Sequence, residues 1–209
     1  MFLVRHGQTT WNKEQVFRGT IDVPLNEQGF AEAEAVRKAL DKEPISFIYS
    51  SSLSRAVQTA RPLAEAKGIE VAMHSGFNDM DFGQWQGRKL EQVQAEEPEL
   101  FRVWVEQPHE CEIPGGETLV QVQRRAIDAW WEVARKHPDR TGLVASHRVV
   151  CKLLVLGLMG LGPEKFWDIY QGTAAINLFI MDDNHAVTYL VNDTCHLADL
   201  AEGRVTADF

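Results

Sequence analysis

Cysteine is scarce in this sequence. Only three of its 209 residues are cysteines, Cys111, Cys151 and Cys195, and no two of them form a CxxC pair. An odd number of widely spaced thiols excludes a disulfide framework and provides no thiolate metal site. Reduced cysteines are typical of cytoplasmic proteins, and we expect that location.

Long apolar runs are also missing. The longest, around residues 153–159, is far shorter than the ~20 residues that a membrane-spanning helix requires. At the amino terminus, Arg5 and His6 interrupt the apolar start after four residues, and no basic region precedes it. We therefore expect neither a membrane span nor a leader peptide.

Positive charge is in deficit. Lys and Arg together number 21 against 30 Asp and Glu, which gives a net charge of −9. Such a surface repels nucleic acid and anionic membranes, so we expect neither as a partner. Residues 1–20 are an exception, with Arg5, Lys13 and Arg18 against Glu14 alone. An acidic surface around a small basic pocket favours a compact anionic ligand.

No internal repeat or Pro/Ser-rich linker divides the chain, and we expect one domain over residues 1–209. The most linker-like segment, residues 106–117, contains Pro108, Pro114 and two glycines. It is typical of a surface loop within a domain.

Short apolar runs alternate with stretches of helical period. This alternation predicts an α/β fold of three layers, with a mostly parallel central sheet, helices on both faces and an antiparallel edge hairpin. The predicted strands are 1–4, 45–49, 69–73, 142–145, 175–181 and 186–191, the predicted helices are 30–40, 119–133 and 149–158, and the predicted hairpin turn is 182–185.

Two histidines follow predicted strands directly. His6 follows the first strand and His147 follows the strand at 142–145, and ligands collect at the carboxyl ends of strands in open α/β sheets. Arg5 and Gly7 flank the first histidine, and Arg55 begins a predicted helix. Guanidinium groups bind phosphate oxygens in pairs, so these residues together predict a phosphoryl pocket. The alternatives are a hydrogen-bonded histidine pair at the rim of the sheet and a solvated arginine.

Six motifs, in order along the chain, resemble those of the histidine phosphatases, the phosphoglycerate-mutase-like superfamily. They are RHGQTTWN at 5–12, GTIDVPL at 19–25 followed by Gly29, SSSLSRAVQTA at 50–60, FNDMDFGQWQG at 77–87, PGGE at 114–117, and Ser146-His147. Cofactor-dependent mutases of this family carry a longer insertion after the fourth motif. The short segment 88–114 is more similar to the broad-specificity and α-ribazole phosphatase branch.

The resemblance implies a role for each matched residue. His6 would be the nucleophile that becomes a phosphohistidine, and Arg5, Arg55 and His147 would surround the transferring phosphoryl group. The substrate would also contact Asn12 and Gly19. Neutral imidazole attacks phosphorus without first losing a proton, and guanidinium groups supply positive charge. We therefore expect no metal and no cofactor.

Two positions depart from the family pattern. Asp79 stands where the family usually has a glutamate that protonates the leaving alcohol, and we expect Asp79 to be the general acid and base despite its shorter side chain. Arg148 stands where the family has a glycine after the second histidine. Its side chain either stays outside at the start of a helix, or enters the pocket and binds a carboxylate or second phosphate of the substrate.

The sequence therefore favours metal-independent hydrolysis of small phosphomonoesters, with a small phosphorylated metabolite as substrate. A cofactor-dependent phosphoglycerate mutase is one alternative, and a non-catalytic protein that binds a phosphorylated ligand is another. Residues 89–108 and the segment after Gly162 are expected to be loops that contact the leaving group. The apolar helix at 149–158 and the edge hairpin are candidate contact surfaces for a homodimer.

Overall fold

The structure is a computed structural model that describes residues 1–183 and 185–200. Asn184, in the predicted hairpin turn, and residues 201–209 of the predicted domain lie outside the described residues. Six strands are present in the described part: β1 Phe2–Arg5, β2 Ile45–Ser50, β3 Val71–Met73, β4 Thr141–Ser146, β5 Ile176–Asp182 and β6 His185–Asp193.

These strands form one sheet in the order β3-β2-β4-β1-β5-β6. The pairs β2/β3, β2/β4 and β1/β4 are parallel, whereas β5 runs antiparallel to β1 and β6 antiparallel to β5. All six predicted strands are present with slightly shifted ends. The predicted mostly parallel sheet with an antiparallel edge pair is therefore confirmed.

Seven α-helices lie in the same described residues: α1 Thr10–Lys13, α2 Glu27–Ala39, α3 Ser54–Lys67, α4 Leu90–Glu96, α5 Pro98–Glu106, α6 Leu119–Lys136 and α7 Arg148–Leu158. Short 3₁₀ turns occupy Ser75–Phe77, Gly83–Trp85, Pro108–Glu110, Pro163–Asp168 and Cys195–Leu200. Across residues 1–183 and 185–200, no helix combines the length and apolar composition needed to cross a membrane.

The prediction of loops at residues 89–108 was wrong, because α4 and α5 occupy most of that segment. These helices span 7 and 9 residues and bury only Val93 and Trp104, respectively. In α5, Leu100, Phe101, Val103 and Trp104 do form an apolar face against the core, but a helix this short is hard to distinguish from a loop by its period. Pro98 begins α5, where its missing N–H costs nothing, although in the sequence it reads as an interruption.

Helices cover both faces of the sheet. In β1, Leu3 packs into one hydrophobic cluster with side chains of α6 and α7, while Phe2 and Val4 pack into a second cluster with side chains of α2 and α3. Alternate residues of a strand point to opposite faces, so β1 is buried on both sides. The predicted apolar stripe of α6 faces the first cluster: Leu119, Val122, Ala126, Ala129 and Val133.

The linker-like segment 106–117 is more buried than a surface loop. Cys111 is 1% exposed and Ile113 is 3% exposed, and both belong to the first hydrophobic cluster. The prediction of a surface loop was therefore incomplete, because two apolar side chains of the segment pack into the core.

Side-chain caps define where two of the long helices begin. The Asn26 side chain accepts a hydrogen bond from Gly29 N (2.9 Å) before α2. Before α6, Thr118 Oγ1 accepts from Gln121 N (3.3 Å), and Gln121 Oε1 accepts from Thr118 N (2.8 Å). This reciprocal capping box satisfies backbone donors of the first turn and places Glu117 directly outside α6.

Candidate active site

The two predicted histidines lie side by side at the carboxyl edge of the sheet. Arg5 at the end of β1 is in register with Ser146 at the end of β4, and His6 N donates to the Ser146 carbonyl (2.8 Å). The rings of His6 and His147 have centroids 5.2 Å apart, and both residues are 0% exposed. Parallel pairing of β1 and β4 therefore brings together residues separated by most of the chain.

The tautomer of His6 follows from the one hydrogen bond that its imidazole ring makes within the described residues. Its Nδ1 lies 2.7 Å from the Gly7 carbonyl oxygen, which only accepts, so Nδ1 carries the proton. Nε2 then holds the lone pair, and this buried nitrogen has no hydrogen-bond partner among the described residues. The pKa of His6 is well below its usual 6.5 because of burial, followed by the charges of Arg55, Arg5 and Arg18.

His147 has the opposite tautomer. Arg55 Nε donates to His147 Nδ1 (3.1 Å), so the proton is on Nε2, which donates to Ser51 Oγ (2.8 Å). The pKa of His147 is also well below 6.5, chiefly because of burial and then because of the Arg55 charge. The Nε2–H of His147 is thus held by Ser51, while its Nδ1 lies against Arg55 and Asp79.

Arg55 connects several parts of the site through its guanidinium group. Besides His147, it donates from Nη1 to the Ile21 carbonyl (3.0 Å) and from Nη2 to the Gly19 carbonyl (2.8 Å). Nη2 also contacts Asp79 Oδ2 at 3.1 Å. The solvated alternative for Arg55 is excluded, because the residue is 0% exposed.

Asp79 lies against both Arg55 and the second histidine. Its Oδ2 is 3.6 Å from His147 Nδ1, and its Oδ1 accepts from Met80 N (3.0 Å). The residue is 6% exposed. The shorter aspartate side chain therefore reaches the histidine–arginine cluster at the motif position that the family usually fills with glutamate.

Arg5 and Asn12 are buried on the other side of His6. Arg5 Nη1 donates to the Gln171 carbonyl (2.6 Å). Gln171 is itself fixed by Asn177, because each side-chain amide donates to the oxygen of the other (2.8 and 2.9 Å). Asn12 Oδ1 accepts from Thr9 N (2.8 Å) and Thr9 Oγ1 (2.9 Å), which holds the turn that follows His6.

A close glycine contact seats the loop after His6. A Cβ on Gly7 would lie 2.6 Å from the Gly29 carbonyl oxygen, and a Cβ on Gly29 would lie 2.1 Å from the Gln8 carbonyl oxygen. Two of the sequence motifs are thus in backbone contact, which explains why both positions require glycine.

Arg18 is a site residue that the sequence reasoning counted only as charge. It is 7% exposed, and its positive charge contributes to the lowered pKa of both His6 and His147. Its place directly before Gly19 in the second motif was the available signal. Arg148, the first residue of α7, is 6% exposed, which excludes a solvated side chain.

The charge that surrounds the two histidines comes from arginine. Within residues 1–183 and 185–200, no group of three or more His, Cys, Asp and Glu side chains is arranged to hold a metal ion. The site instead combines the imidazole lone pair of His6, a second imidazole, a carboxyl group and buried guanidinium groups. This set fits nucleophilic attack on a phosphorus atom whose oxygens are held by arginines.

The lowered histidine pKa values predict a specific pH dependence. Without a phosphate ligand, we expect both buried imidazoles to stay neutral at pH 6.5, where the unfolded chain takes up protons. The unfolded state then binds more protons, so the free energy of unfolding falls as the pH drops below 6.5 and stops falling below the folded pKa values. Well above pH 6.5 the two imidazoles are neutral in both the folded and the unfolded state, so they cause no loss of stability.

Thermal unfolding between about pH 7.5 and pH 5.5 tests this expectation, together with NMR titration of the imidazole nitrogens. His6→Gln should flatten the decline in midpoint temperature. Titration of His6 near pH 6.5 would contradict the prediction.

Comparison with known proteins gives the same assignment as the motifs. The sequence model of the histidine phosphatase superfamily (branch 1) matches residues 1–194. Phosphoserine phosphatase 1 of Hydrogenobacter thermophilus is 36% identical over 199 residues, covering 95% of this chain and 94% of the relative. A metal-independent phosphoserine phosphatase of Arabidopsis thaliana is 35% identical over 158 residues, covering 74% and 66%. A 2,3-bisphosphoglycerate-dependent phosphoglycerate mutase of Brucella melitensis biotype 2 is 32% identical over 173 residues, covering 79% and 84%.

Solved structures are similar over nearly the whole chain. Bacillus stearothermophilus YhfR has a TM-score of 0.90 at 26% identity, covering 94% of this chain and 98% of that one. The phosphoserine phosphatase of Entamoeba histolytica, in complex with 3-phosphoglyceric acid, has a TM-score of 0.84 at 26% identity with the same coverages. The resemblance expected from the six motifs is therefore confirmed, and this chain belongs to branch 1 of the histidine phosphatase superfamily.

Proposed function

We propose that this protein hydrolyses small phosphomonoesters through a phosphohistidine at His6, without a metal or cofactor, and that phosphoserine is its substrate. The observation that carries the proposal is the His6 Nε2 atom. It is a buried, neutral nitrogen with its lone pair available, and it lies beside a second imidazole and several arginines. The family and its phosphoserine phosphatase relatives make the chain a phosphatase.

In the first half-reaction, His6 Nε2 attacks phosphorus and the ester P–O bond breaks. Arg5, Arg55 and His147 stabilise the negative charge on the equatorial phosphoryl oxygens. Asp79 gives its proton to the leaving oxygen, which departs as an alcohol. The position of Asp79 against Arg55 and His147 supports this role.

In the second half-reaction, water attacks the phosphorus of phosphohistidine. The Asp79 carboxylate takes the proton from this water as the new P–O bond forms, and the P–N bond breaks. Inorganic phosphate leaves, and both His6 and the Asp79 carboxyl return to their starting states. Phosphate is an anion, and it dissociates from a pocket whose positive charge comes from guanidinium groups.

The remaining substrate contacts are assigned to Asn12, Gly19 and Arg148. The Gly19 carbonyl accepts from Arg55, and Asn12, in α1, accepts from Thr9 N. Arg148 is nearly buried and follows His147 directly in the sequence, and we assign it the inward alternative, in which it binds an anionic group of the substrate. Phosphoserine carries a carboxylate of this kind, which agrees with the named activity of two of the relatives.

We also infer that the chain is one domain in the cytoplasm. The inference of one domain is supported by a single sheet that pairs β1 with both β4 and β5. The three cysteines, all within the described residues, are not joined by disulfides, which supports a reducing compartment. The exposed apolar side chains Ile180, Val187 and Tyr189 of the edge hairpin support association of two copies there.

A bisphosphoglycerate-dependent mutase is the second candidate, because a mutase relative matches 79% of this chain. The two activities share the same phosphoenzyme and differ in whether water or a second hydroxyl accepts the phosphoryl group. Assays in excess chelator with phosphoserine, and with 3-phosphoglycerate in the presence and absence of 2,3-bisphosphoglycerate, separate them.

We expect release of inorganic phosphate from phosphoserine at the same rate with and without chelator. Isomerisation of 3-phosphoglycerate that depends on the bisphosphate, without phosphoserine hydrolysis, would identify a mutase. Phosphate binding without any turnover would identify a binding protein, and loss of activity in chelator would contradict the metal-independent mechanism.

A further inference from the structure

One arginine of α6 binds the backbone of the loop that carries Asp79. Arg125 Nη1 donates to the carbonyls of Gly76 (2.9 Å) and Asn78 (2.8 Å), and its Nη2 donates to the carbonyl of Asp79 (3.1 Å). A planar guanidinium with its donors in a rigid fork holds these carbonyls in one fixed arrangement. The backbone up to Asp79 is therefore tied to α6.

Glu117 fixes both Arg125 and the other side of the loop. Its Oε1 accepts from Arg125 Nε (2.7 Å), and its Oε2 accepts from Arg125 Nη2 (2.8 Å) and from Asp81 N (3.0 Å). Glu117 N also donates to the Asp81 carbonyl (2.8 Å). Asp79 is thus held on one side by Arg125 and on the other by Glu117.

The ion pair between these residues persists at neutral pH. Burial alone would raise the pKa of Glu117, but hydrogen bonds from Arg125 and Asp81 outweigh it, so that the pKa is lowered. The carboxylate therefore stays charged, although Arg125 and Glu117 are 25% and 28% exposed, respectively.

Two glycines allow the loops to meet. A Cβ on Gly83 would lie 2.2 Å from the Pro114 carbonyl oxygen, and a Cβ on Gly116 would lie 2.6 Å from the Asp81 carbonyl oxygen. Within the described chain, residues 78–82 belong to no helix or strand. Contacts from outside the loop, rather than a sheet ladder, therefore determine where Asp79 lies.

We propose that Arg125, held by Glu117, is a positioning residue for Asp79 and thereby determines how well the enzyme protonates poor leaving groups. This inference rests on the proposed function, in which Asp79 gives its proton to the leaving oxygen. A misplacement of about 1 Å at a reacting group costs as much as about 100-fold in rate. In phosphoenzyme formation, the cost falls on substrates whose leaving group needs the proton.

Phosphoserine and 4-nitrophenyl phosphate separate this role from a general structural one. Serine leaves as an alcohol and needs the proton, whereas nitrophenolate is a stable anion that leaves without it. We expect Arg125→Met to lower the rate of phosphoenzyme formation, measured in a single turnover, by about 10- to 100-fold with phosphoserine and by less than about 3-fold with the aryl phosphate. Hydrolysis of the phosphoenzyme, in which Asp79 is the base, should slow equally with both substrates. Glu117→Gln should show the same selectivity with a smaller loss.

Arg124→Met is the matched control, because Arg124 is exposed on the same helix. It should leave both rates unchanged. The double variant Asp79→Asn/Arg125→Met should be no slower on phosphoserine than Asp79→Asn alone, since a positioning residue has no effect once the positioned carboxyl is gone. If Arg125→Met fails to fold, Arg125→Lys and Glu117→Gln carry the same comparison.

Three outcomes would overturn the proposal. Equal losses on both substrates at an unchanged unfolding temperature would indicate a structural role, and losses that multiply in the double variant would indicate independent action. If Asp79→Asn slows the reaction of phosphoserine more than that of the aryl phosphate, but Arg125→Met and Glu117→Gln do not, the positioning role is rejected and the acid role of Asp79 stands. Absence of selectivity in Asp79→Asn itself would reject the acid assignment and, with it, the positioning role.

Discussion

His6→Ala should lower kcat for phosphoserine by about four orders of magnitude or more, because no other group replaces the attacking Nε2 atom. The loss should be the same for 4-nitrophenyl phosphate, since attack on phosphorus precedes any question of the leaving group. Steady-state release of inorganic phosphate in chelator measures both rates.

His185→Ala is the matched control for this variant. His185 is exposed in β6, so its loss should leave both rates within about 2-fold, which is the range expected of a surface substitution away from the site. Calorimetric titration with phosphoserine shows whether His6→Ala still binds the ligand. Substantial turnover by folded His6→Ala protein would contradict the nucleophile assignment, whereas inactivity with retained binding supports it.

Asp79→Asn should produce the second largest effect, and this effect should depend on the leaving group. Asparagine keeps an oxygen that accepts from Arg55 but has no proton to donate to an alkoxide. General acid catalysis contributes about 10²- to 10⁴-fold, so we expect phosphoenzyme formation to slow by that order with phosphoserine and by much less with 4-nitrophenyl phosphate. Single-turnover measurements of leaving-group release from the two substrates give the ratio, because hydrolysis of the phosphoenzyme is common to both.

Asp79→Glu is the conservative comparison, because it keeps the carboxyl group and restores the residue typical of the family. It should retain more phosphoserine activity than Asp79→Asn. Equal activity of wild type and Asp79→Asn on phosphoserine across the pH range would contradict the acid and base role of Asp79.

The sequence predicted the sheet and the meeting of His6 and His147 at its carboxyl edge. Short apolar strands between amphipathic helices impose a parallel sheet, and in such a sheet residues directly after neighbouring strands meet. His6 and His147 could therefore be paired from the sequence, although the exact partners of each ring nitrogen could not. Those partners depend on loops that bring Gly7 and Arg55 to the rings.

Contacts between distant loops could not be predicted in the same way. Arg125 lies on a helix whose apolar stripe identifies the core-facing positions but does not reveal where a long polar side chain reaches. Its carbonyl partners are 46 to 49 residues away in the sequence. Glu117 reads locally as a favourable charge at a helix start, and only the structure shows that it also binds the Asp79 loop.

The burial of Arg18 was not predicted from the sequence, whereas the burial of Arg148 was one of two alternatives that the sequence left open. An arginine beside a glycine or at the first turn of a helix is solvated in most proteins. Here both are nearly buried, and the charge of Arg18 acts on the two histidines of a site that already contains Arg5 and Arg55. This concentration of positive charge, in a chain whose net charge is −9, agrees with a site that selects a compact anion.

Trapping the phosphoenzyme tests the central claim most directly. Wild-type protein mixed with phosphoserine labelled at phosphorus and quenched within milliseconds should carry a label that is stable in alkali and labile in acid, as expected for phosphohistidine. Mass spectrometry should place this label on His6, and His6→Ala should carry none. Turnover without any labelled protein, or a label on another residue, would contradict the account.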